Sequence, residues 1–233
     1  MKTFSQYKQD YFIDSIFKHK ENGFFLDIGA NDGITFSNSY FFEKYRNWSG
    51  ICVEPHVDIF KKLSKVRTCI LENCCITDKD GVVTFRKVSG PDMLSGVLEF
   101  MDRVDSLDEH IRMHGGSYED IKIASYNINS LLKKHNVTKI DFCSIDVEGG
   151  EWAIINSIDF DHVNISAFSV EGNDERILSF LKSKGYTHIY SETDTFYIKD
   201  SIRNLESIKR EVKRYKFRCK LKRHVPSWLK KYL

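Results

Sequence analysis

The stretch FFLDIGANDG (24–33) decides the fold, because an apolar run stops abruptly at glycines and acids. Such a run is typical of a buried strand that ends in a ligand-binding turn. Gly29 and Gly33 allow the backbone to turn tightly and to approach a ligand closely. The turn has no Lys and carries two carboxylates, Asp27 and Asp32. Because these carboxylates would repel a phosphate, the turn predicts a cationic ligand.

The spacing of the turn argues against a nicotinamide cofactor, whose fingerprint requires glycines at 29, 31 and 34. S-adenosylmethionine carries a sulfonium and an ammonium, and both favour an acidic lining. A second apolar run, SGICVEP (49–55), brings in Glu54, whose carboxylate can accept hydrogen bonds from both hydroxyls of an adenosine ribose. The residues predicted to bind S-adenosylmethionine are Asp27, Gly29, Asn31, Asp32, Gly33 and Glu54.

Apolar, strand-like runs alternate with helical patterns along the chain, which is the order of an α/β domain. Continuous apolar strands indicate a parallel sheet that is covered on both faces. The runs are 23–29, 49–55, 68–76, 139–149 and 165–173, followed by a closing pair at 186–190 and 195–200. The helical patterns are 6–19, 37–46, 56–65, 126–135, 150–158 and 174–184. We therefore predict a doubly wound, mostly parallel sheet with an antiparallel edge strand and helices on both faces.

Residues 81–118 interrupt this alternation with a mixed, glycine-punctuated segment. A long insertion in an α/β domain usually lies over the carboxyl ends of the strands, where ligands bind. We expect one domain over 1–200, with this insertion near the substrate cleft, and a separate tail over 201–233.

Three motifs together resemble the FkbM family of S-adenosylmethionine-dependent methyltransferases. They are FFLDIGANDG, the following WSGICVEP, and IDFCSIDVEGGEW, and the opening SQYKQD (5–10) is similar to the N-terminal stretch of that family. The resemblance covers about residues 5–200. It implies the Rossmann-like class I methyltransferase fold and methyl transfer to a hydroxyl, typically of a sugar in a glycan or natural product. A lipid or small natural product as the acceptor, and a non-catalytic S-adenosylmethionine-binding module, remain the alternatives.

The chemistry is expected where the fourth and fifth strands end. Asp146 and Glu148 lie in SIDVEGGE, and in an extended strand they would share one face with Ser144. We predict that both acids are catalytic and that Asp146 also holds the cofactor. His110 and His114 lie four residues apart in the insertion as candidate bases, and His114 is the one included in the predicted site.

Glu171 and Asn173, in SVEGN, end the neighbouring strand. This arrangement resembles metal-dependent class I O-methyltransferases, which implies Asp146, Glu171 and Asn173 as ligands of Mg²⁺ or another divalent cation. Carboxylate and amide oxygens suit that cation. The alternative is a metal-free site in which Asp146 holds the cofactor and Glu148 or a histidine acts as the base.

The tail differs from the rest of the chain in charge. Residues 201–233 hold 12 Lys/Arg and 2 Asp/Glu, whereas the preceding residues hold 23 and 31. Apolar residues recur there at helical spacing, and Trp228 and Tyr232 follow, which suits an anionic membrane surface. A helix on the surface of the domain or in a homodimer is the alternative. Nucleic acid is disfavoured because the D/N-P-P-Y motif of base-amino methyltransferases is absent.

Six cysteines without a C-x-x-C pair indicate buried, reduced thiols. The N-terminal MKTFSQYKQDYF is too polar for a signal peptide. We therefore expect a cytoplasmic protein that contacts sugar or glycan acceptors, with its tail as a route to peripheral membrane attachment.

Overall fold

The computed structural model describes residues 2–101, 104–190, 193–202, 206–207, 210 and 212–213, with the backbone alone at 104–107, 110 and 190. In chain order the strands are β1 (Phe24–Ile28), β2 (Ser49–Val53), β3 (Ile70–Glu72), β4 (Cys75–Thr77), β5 (Gly81–Ser89), β6 (Gly96–Val97), β7 (Ser117–Asn127), β8 (Lys139–Ile145), β9 (Asn164–Glu171), β10 (Tyr186–Tyr190) and β11 (Asp194–Lys199). The helices are α1 (Gln9–Ile16), α2 (Tyr40–Arg46), α3 (Val57–Leu63), α4 (Val104–Met113), α5 (Ile128–Lys134), α6 (Glu151–Asn156) and α7 (Glu175–Ser183).

The main sheet has seven strands in the order β10-β11-β9-β8-β1-β2-β3. The strands β1, β2, β3, β8 and β9 pair in parallel, and β11 runs antiparallel to both of its neighbours. This confirms the predicted α/β class, with the detail that β11 lies second from the edge. The strand order reverses between β1 and β8, and the carboxyl ends of parallel strands at such a reversal form the usual ligand crevice.

Both faces of the main sheet are buried, which explains why its strands are apolar without alternation. In β1, Leu26 and Ile28 belong to the core on one face, whereas Phe25 belongs to the core on the other. The first core includes the buried face of α5, and the second includes Phe12 of α1. The acids at the strand ends are therefore positioned by strands that are packed on both faces.

A second sheet of four strands, in the order β4-β7-β5-β6, departs from the predicted organisation. The run 68–76, which was expected to be one strand, divides at Asn73 and Cys74 into β3 of the main sheet and β4 of the second sheet. The predicted helix 126–135 begins only at Ile128, because β7 precedes it and pairs with β5 along its length. Most residues of β7 are exposed, so its sequence lacks the apolar signal of a buried strand.

The fourth predicted strand, 139–149, ends earlier than expected. β8 stops at Ile145, and Glu148 adopts a left-handed conformation with a φ of 58°. The expectation that Ser144, Asp146 and Glu148 share one face of an extended strand is therefore wrong. The turn brings the acids together by a different route, described below.

The tail lies largely outside the described residues, including most of its predicted apolar stripe and both Trp228 and Tyr232. Of the part that is described, Ile202 and Val212 pack against the core on the α1 side of the main sheet. That contact fits the alternative of a segment on the surface of the domain. Within the described residues, no helix combines the length and the apolar character that crossing a membrane requires.

Candidate active site

A cavity opens at the carboxyl ends of β1, β2, β8 and β9, with an empty volume of about 1130 Å³ including the part that merges with solvent. Its wall includes Asp27, Gly29 and Glu54 from the first two strands, and Asp146 and Glu171 from the last two. Residues from within 81–118 also line it, namely Phe85, Asp92, Met93, Ser95 and Val97. The insertion thus lies at the edge of the same crevice as the strand ends.

The turn after β1 brings three strand ends into contact. Gly29 has a φ of 86°, and a Cβ atom there would lie 1.8 Å from the carbonyl oxygen of Asp146. The backbone N–H groups of Gly29 and Ala30 both donate to the carbonyl oxygen of Val53, at 3.0 Å. Only glycine fits this position, because it combines a left-handed conformation with direct backbone packing.

Glu54 follows the end of β2 and is held by backbone donors. Its Oε1 accepts from the N–H of His56 at 2.7 Å, and its Oε2 accepts from the N–H of Asn31 at 2.9 Å. Burial raises the pKa of Glu54 to about 7, although these two hydrogen bonds oppose the shift. The carboxyl is thus oriented in advance and is ready to ionise near neutral pH.

Asp27 is the buried acid of the β1 turn. One of its oxygens accepts a hydrogen bond from the hydroxyl of Ser39, and Ser39 in turn accepts from Arg67 at 2.9 Å. Burial raises the pKa of Asp27, whereas the positive charge of Arg67 opposes the shift. Asp27 therefore forms part of the cavity wall with its own cation close by.

Two of the predicted cofactor contacts, Asp32 and Gly33, do not line the cavity. Asp32 closes the turn by accepting from the N–H groups of Ile34 and Thr35, at 2.9 and 2.7 Å. Partial burial would raise the pKa of Asp32, but the hydrogen bonds from Thr35 and Ile34 hold it below its usual value. Gly33 packs against Arg67 instead. Both residues shape the turn that presents Asn31 to Glu54.

Three carboxylates converge at the ends of β8 and β9. Asp146, Glu148 and Glu171 each place one carboxylate oxygen within 4.8 Å of the others. The turn that makes this possible is fixed by Glu151, whose Oε1 accepts from the N–H groups of Val147 and Gly149 at 3.2 and 3.1 Å.

Desolvation raises the proton affinity of all three acids, and the negative charges of the trio add to it at Asp146 and Glu148. Desolvation, and then the negative charges of Glu171 and Glu148, raise the pKa of Asp146. Desolvation and the charge of Glu171 raise the pKa of Glu148 to about 8. The pKa of Glu171 is raised mainly by desolvation, against the effect of its hydrogen bond with Asp146. Such a cluster retains protons or attracts a cation.

Two other predicted residues do not reach the site. His114 follows α4 and is exposed, and it does not line the cavity. Asn173 is also exposed and does not line the cavity. The third acid beside Asp146 and Glu171 is Glu148, where the sequence predicted Asn173 as the third metal ligand. The side chain of His110 lies outside the described residues.

His56 and Asn38 are among the residues of the cavity wall that sequence reasoning did not assign to the site. His56 caps α3, its Nε2 lies 3.1 Å from the carbonyl oxygen of Val88, and its ring also lines the cavity. Asn38 donates from Nδ2 to the hydroxyl of Ser144 at 3.1 Å, while its Oδ1 atom is buried without a protein partner among the described residues. The sequence predicts that His56 starts a helix, as it does, but no local pattern marks either residue as part of the cavity, because that depends on tertiary placement.

Comparison with known proteins gives one family match. The model of the methyltransferase FkbM domain matches residues 27–187. No curated protein matches the chain.

Several solved structures are similar. Methyltransferase FkbM from Methylobacillus flagellatus KT is 11% identical with a TM-score of 0.45, over 76% of this chain and 43% of that one. The N-terminal domain of human METTL16 in complex with SAH is 14% identical with a TM-score of 0.39, over 81% and 66%. A methyltransferase from Pyrococcus furiosus is 14% identical with a TM-score of 0.37, over 81% and 80%. This chain spans less than half the length of the Methylobacillus structure.

The family match begins at Asp27, near the end of β1, and ends within β10, so that it includes all of the strand ends around the cavity. It spans well over half of the chain. The chain therefore belongs to the FkbM-domain family of S-adenosylmethionine-dependent methyltransferases.

Proposed function

We propose that this chain transfers the methyl group of S-adenosylmethionine to a hydroxyl, and that the hydroxyl belongs to a sugar in a glycan or glycoconjugate. The observation that carries the proposal is the convergence of Asp146, Glu148 and Glu171 in the same cavity as Asp27 and Glu54. A hydroxyl must lose its proton as it is methylated, and carboxylates with a raised pKa are suitable acceptors for that proton.

The cavity wall fits the methyl donor by its chemistry. Glu54 is positioned to accept from vicinal hydroxyls, and the acid of Asp27 favours a cationic ligand. Asn38 adds a buried acceptor atom without a protein partner among the described residues. When bound, S-adenosylmethionine supplies a methyl group activated by its sulfonium.

The acid cluster has the chemistry to activate the acceptor. Glu148 has a pKa of about 8, so that a substantial fraction is ionised slightly above neutral pH. In the proposal, Glu148 accepts the proton of the hydroxyl, and Asp146 orients the reacting groups.

The same cluster fits a divalent cation as a second component. Asp146, Glu148 and Glu171 offer three hard oxygen ligands within 4.8 Å of one another, which suits Mg²⁺. These three residues would hold the ion, which would lower the pKa of a hydroxyl beside it. This replaces the predicted set that included Asn173.

The sugar acceptor is the part of the proposal that rests most on the family. Exposed apolar side chains at the cavity support it, since Phe36 and Met93 are 47% and 48% exposed there. Such surfaces can cover the C–H face of a pyranose ring.

Transfer of a radiolabelled methyl group tests the proposal. The full chain would be incubated with labelled S-adenosylmethionine and separate pools of oligosaccharides, lipids, RNA and protein. We expect label in the oligosaccharides, recovered after acid hydrolysis as an O-methyl sugar, and little transfer by a Glu148→Gln variant. Label confined to RNA or to protein amines would contradict hydroxyl methylation, and label confined to the lipids would move the acceptor to the alternative class.

Docking of 201–233 to an anionic membrane remains a separate proposal, which rests on the basic charge of that segment. Sedimentation with anionic vesicles at low and high salt, for the full chain and for a truncation after Asp200, tests it. Equal sedimentation of the two chains would show that residues 201–233 do not bind the membrane.

A further inference from the structure

We propose that Asn38 binds the α-ammonium group at the amino-acid end of S-adenosylmethionine, through its side-chain carbonyl oxygen. The inference rests on the cofactor part of the proposed function and assigns a residue that neither the sequence motifs nor the family match identified.

The first observation is an unsatisfied acceptor. Asn38 lines the cavity, and its buried Oδ1 atom accepts no hydrogen bond from any described residue. Among the buried side-chain nitrogen and oxygen atoms of the described residues, it alone has this property. A buried acceptor without a partner is costly, so such an atom indicates a ligand that donates to it.

The second observation is that the side chain is fixed. Its Nδ2 donates to the hydroxyl of Ser144 on β8, at 3.1 Å, which leaves the Oδ1 end of the amide unsatisfied. Asn38 comes from the segment after β1, so the bond spans the two strands between which the sheet order reverses. The side chain that carries the unsatisfied oxygen therefore lies at the ligand crevice.

The third observation is charge. The next residue, Ser39, donates its hydroxyl to the carboxylate of Asp27, so a neutral acceptor and a carboxylate lie on the same part of the wall. Glu54, on the other side of β1, is placed for the ribose. A cationic donor group between the ribose position and the acid cluster matches this wall, and the ammonium of the methionine moiety is such a group.

A comparison of three nucleosides tests the assignment by calorimetry. S-adenosylhomocysteine carries the ammonium, its deamino analogue lacks only that group, and 5′-methylthioadenosine lacks the whole amino-acid end. We expect Asn38→Ala to weaken binding of S-adenosylhomocysteine roughly ten- to a hundredfold, the range for a hydrogen bond to a charged group. Affinity for the other two nucleosides should change by less than about twofold, because neither presents the ammonium.

Asn38→Asp serves as the matched variant, because it keeps the shape and the acceptor and removes the donor to Ser144. It should retain the affinity for S-adenosylhomocysteine within a few-fold. A larger loss in Asn38→Asp than in Asn38→Ala would show that the amide donates to the carboxylate of the ligand, and would overturn the assignment. An equal loss for all three nucleosides, or no loss for any, would also overturn it.

The same measurements separate this inference from the proposed function. If the unchanged protein bound none of the three nucleosides, the cofactor part of the proposed function would fail first. Circular dichroism melting of each variant confirms that it is folded. If Asn38→Ala does not fold, the preference for S-adenosylhomocysteine over its deamino analogue is measured in Asn38→Asp and in the unchanged protein instead. Equal affinity of the unchanged protein for the two nucleosides would contradict an ammonium contact.

Discussion

The two ends of the cavity hold their acids in opposite ways. One end holds Glu54 and Asp27, and we call it the nucleoside end after its proposed ligand. Glu54 accepts hydrogen bonds from two backbone N–H groups, and Asp27 has the hydroxyl of Ser39 and the charge of Arg67 beside it. These acids are satisfied before any ligand arrives. The arrangement is typical of a preformed binding surface, in which little reorganisation is needed when the ligand binds.

The other end, where methyl transfer is proposed, is called the transfer end. There Asp146, Glu148 and Glu171 face one another. Within the described residues, no ion pair joins this trio to a Lys, Arg or His. Desolvation raises the proton affinity of all three acids, and repulsion within the trio adds to it at Asp146 and Glu148. Under the proposed function, this contrast fits one end that binds the cofactor and another whose protonation or charge changes during the reaction.

The largest expected effect follows from neutralising the transfer end. Asp146→Asn should lower the rate of methyl transfer by about 10²- to 10⁴-fold, the range for loss of a group that acts on proton transfer or orientation. It should leave the melting temperature unchanged or raise it, because one of three mutually repelling carboxyls is removed. Initial rates and thermal melts of the same preparation measure both quantities.

A matched control is Asp141→Asn, four residues before the end of β8. Asp141 is paired with Lys20 and accepts from the N–H of Phe24, so its loss should reduce stability with little effect on the rate of a folded enzyme. If Asp146→Asn lowered stability with little loss of rate, as expected for this control, Asp146 would have a structural role and the contrast between the two ends of the cavity would be wrong.

A divalent cation should produce the next largest effect, and only at the transfer end. Addition of Mg²⁺ in millimolar amounts should raise the melting temperature by several degrees, since a ligand that binds the folded state alone stabilises it. Glu171→Gln should abolish the shift, whereas Glu54→Gln should retain it. Chelation should lower the rate of methyl transfer, and Mg²⁺ should restore it. Full activity and an unshifted melt after exhaustive chelation would leave Glu148 as a metal-free base.

The nucleoside end is also the part of the site that the sequence predicts best. The glycine and acid turn follows directly on an apolar strand, and Glu54 follows the next one, so local spacing alone places them at neighbouring strand ends. Asp32 is the exception. Its carboxylate closes its own turn, and a sequence pattern does not distinguish an acid that binds a ligand from one that caps the backbone.

The transfer end is predicted only in outline. Topology places Asp146 near Glu171, because β8 and β9 are adjacent and parallel. Glu148 reaches them because its own backbone is left-handed, in a turn that Glu151 stabilises. The spacing of the acids in the sequence does not predict this geometry. The second sheet escaped prediction for a related reason, since the exposed, polar β7 gains its strand structure by pairing with β5.

At the nucleoside end, the expected effects are smaller and concern affinity. Glu54→Ala should weaken binding of S-adenosylhomocysteine by about 1–3 kcal/mol, because two hydroxyls lose a charged acceptor. Glu119→Ala, which removes an exposed acid on β7, is the control and should leave affinity unchanged. Titration calorimetry of the three proteins measures the difference. Equal affinities in all three would remove Glu54 from the binding surface.

The smallest effect is a pH dependence that also belongs to Glu54. In the free protein its pKa is raised to about 7, so that below this pH the carboxyl is protonated and no longer presents two ionised acceptors. Affinity for S-adenosylhomocysteine should therefore rise from pH 5.5 to about 7, by up to tenfold for each pH unit, and then level off.

Stability of the free protein should move in the opposite direction over the same range. The raised pKa means that the folded state keeps a proton that the unfolded state loses near pH 4.5, so the contribution of Glu54 to folding declines as the pH rises from about 4.5 to about 7. Glu54→Gln does not titrate and should flatten both profiles. The pKa values of Asp27 and of the acid cluster are also raised, so any slope that remains in this variant measures those acids. Parallel profiles in the variant and the unchanged protein would show that acids other than Glu54 carry the pH dependence.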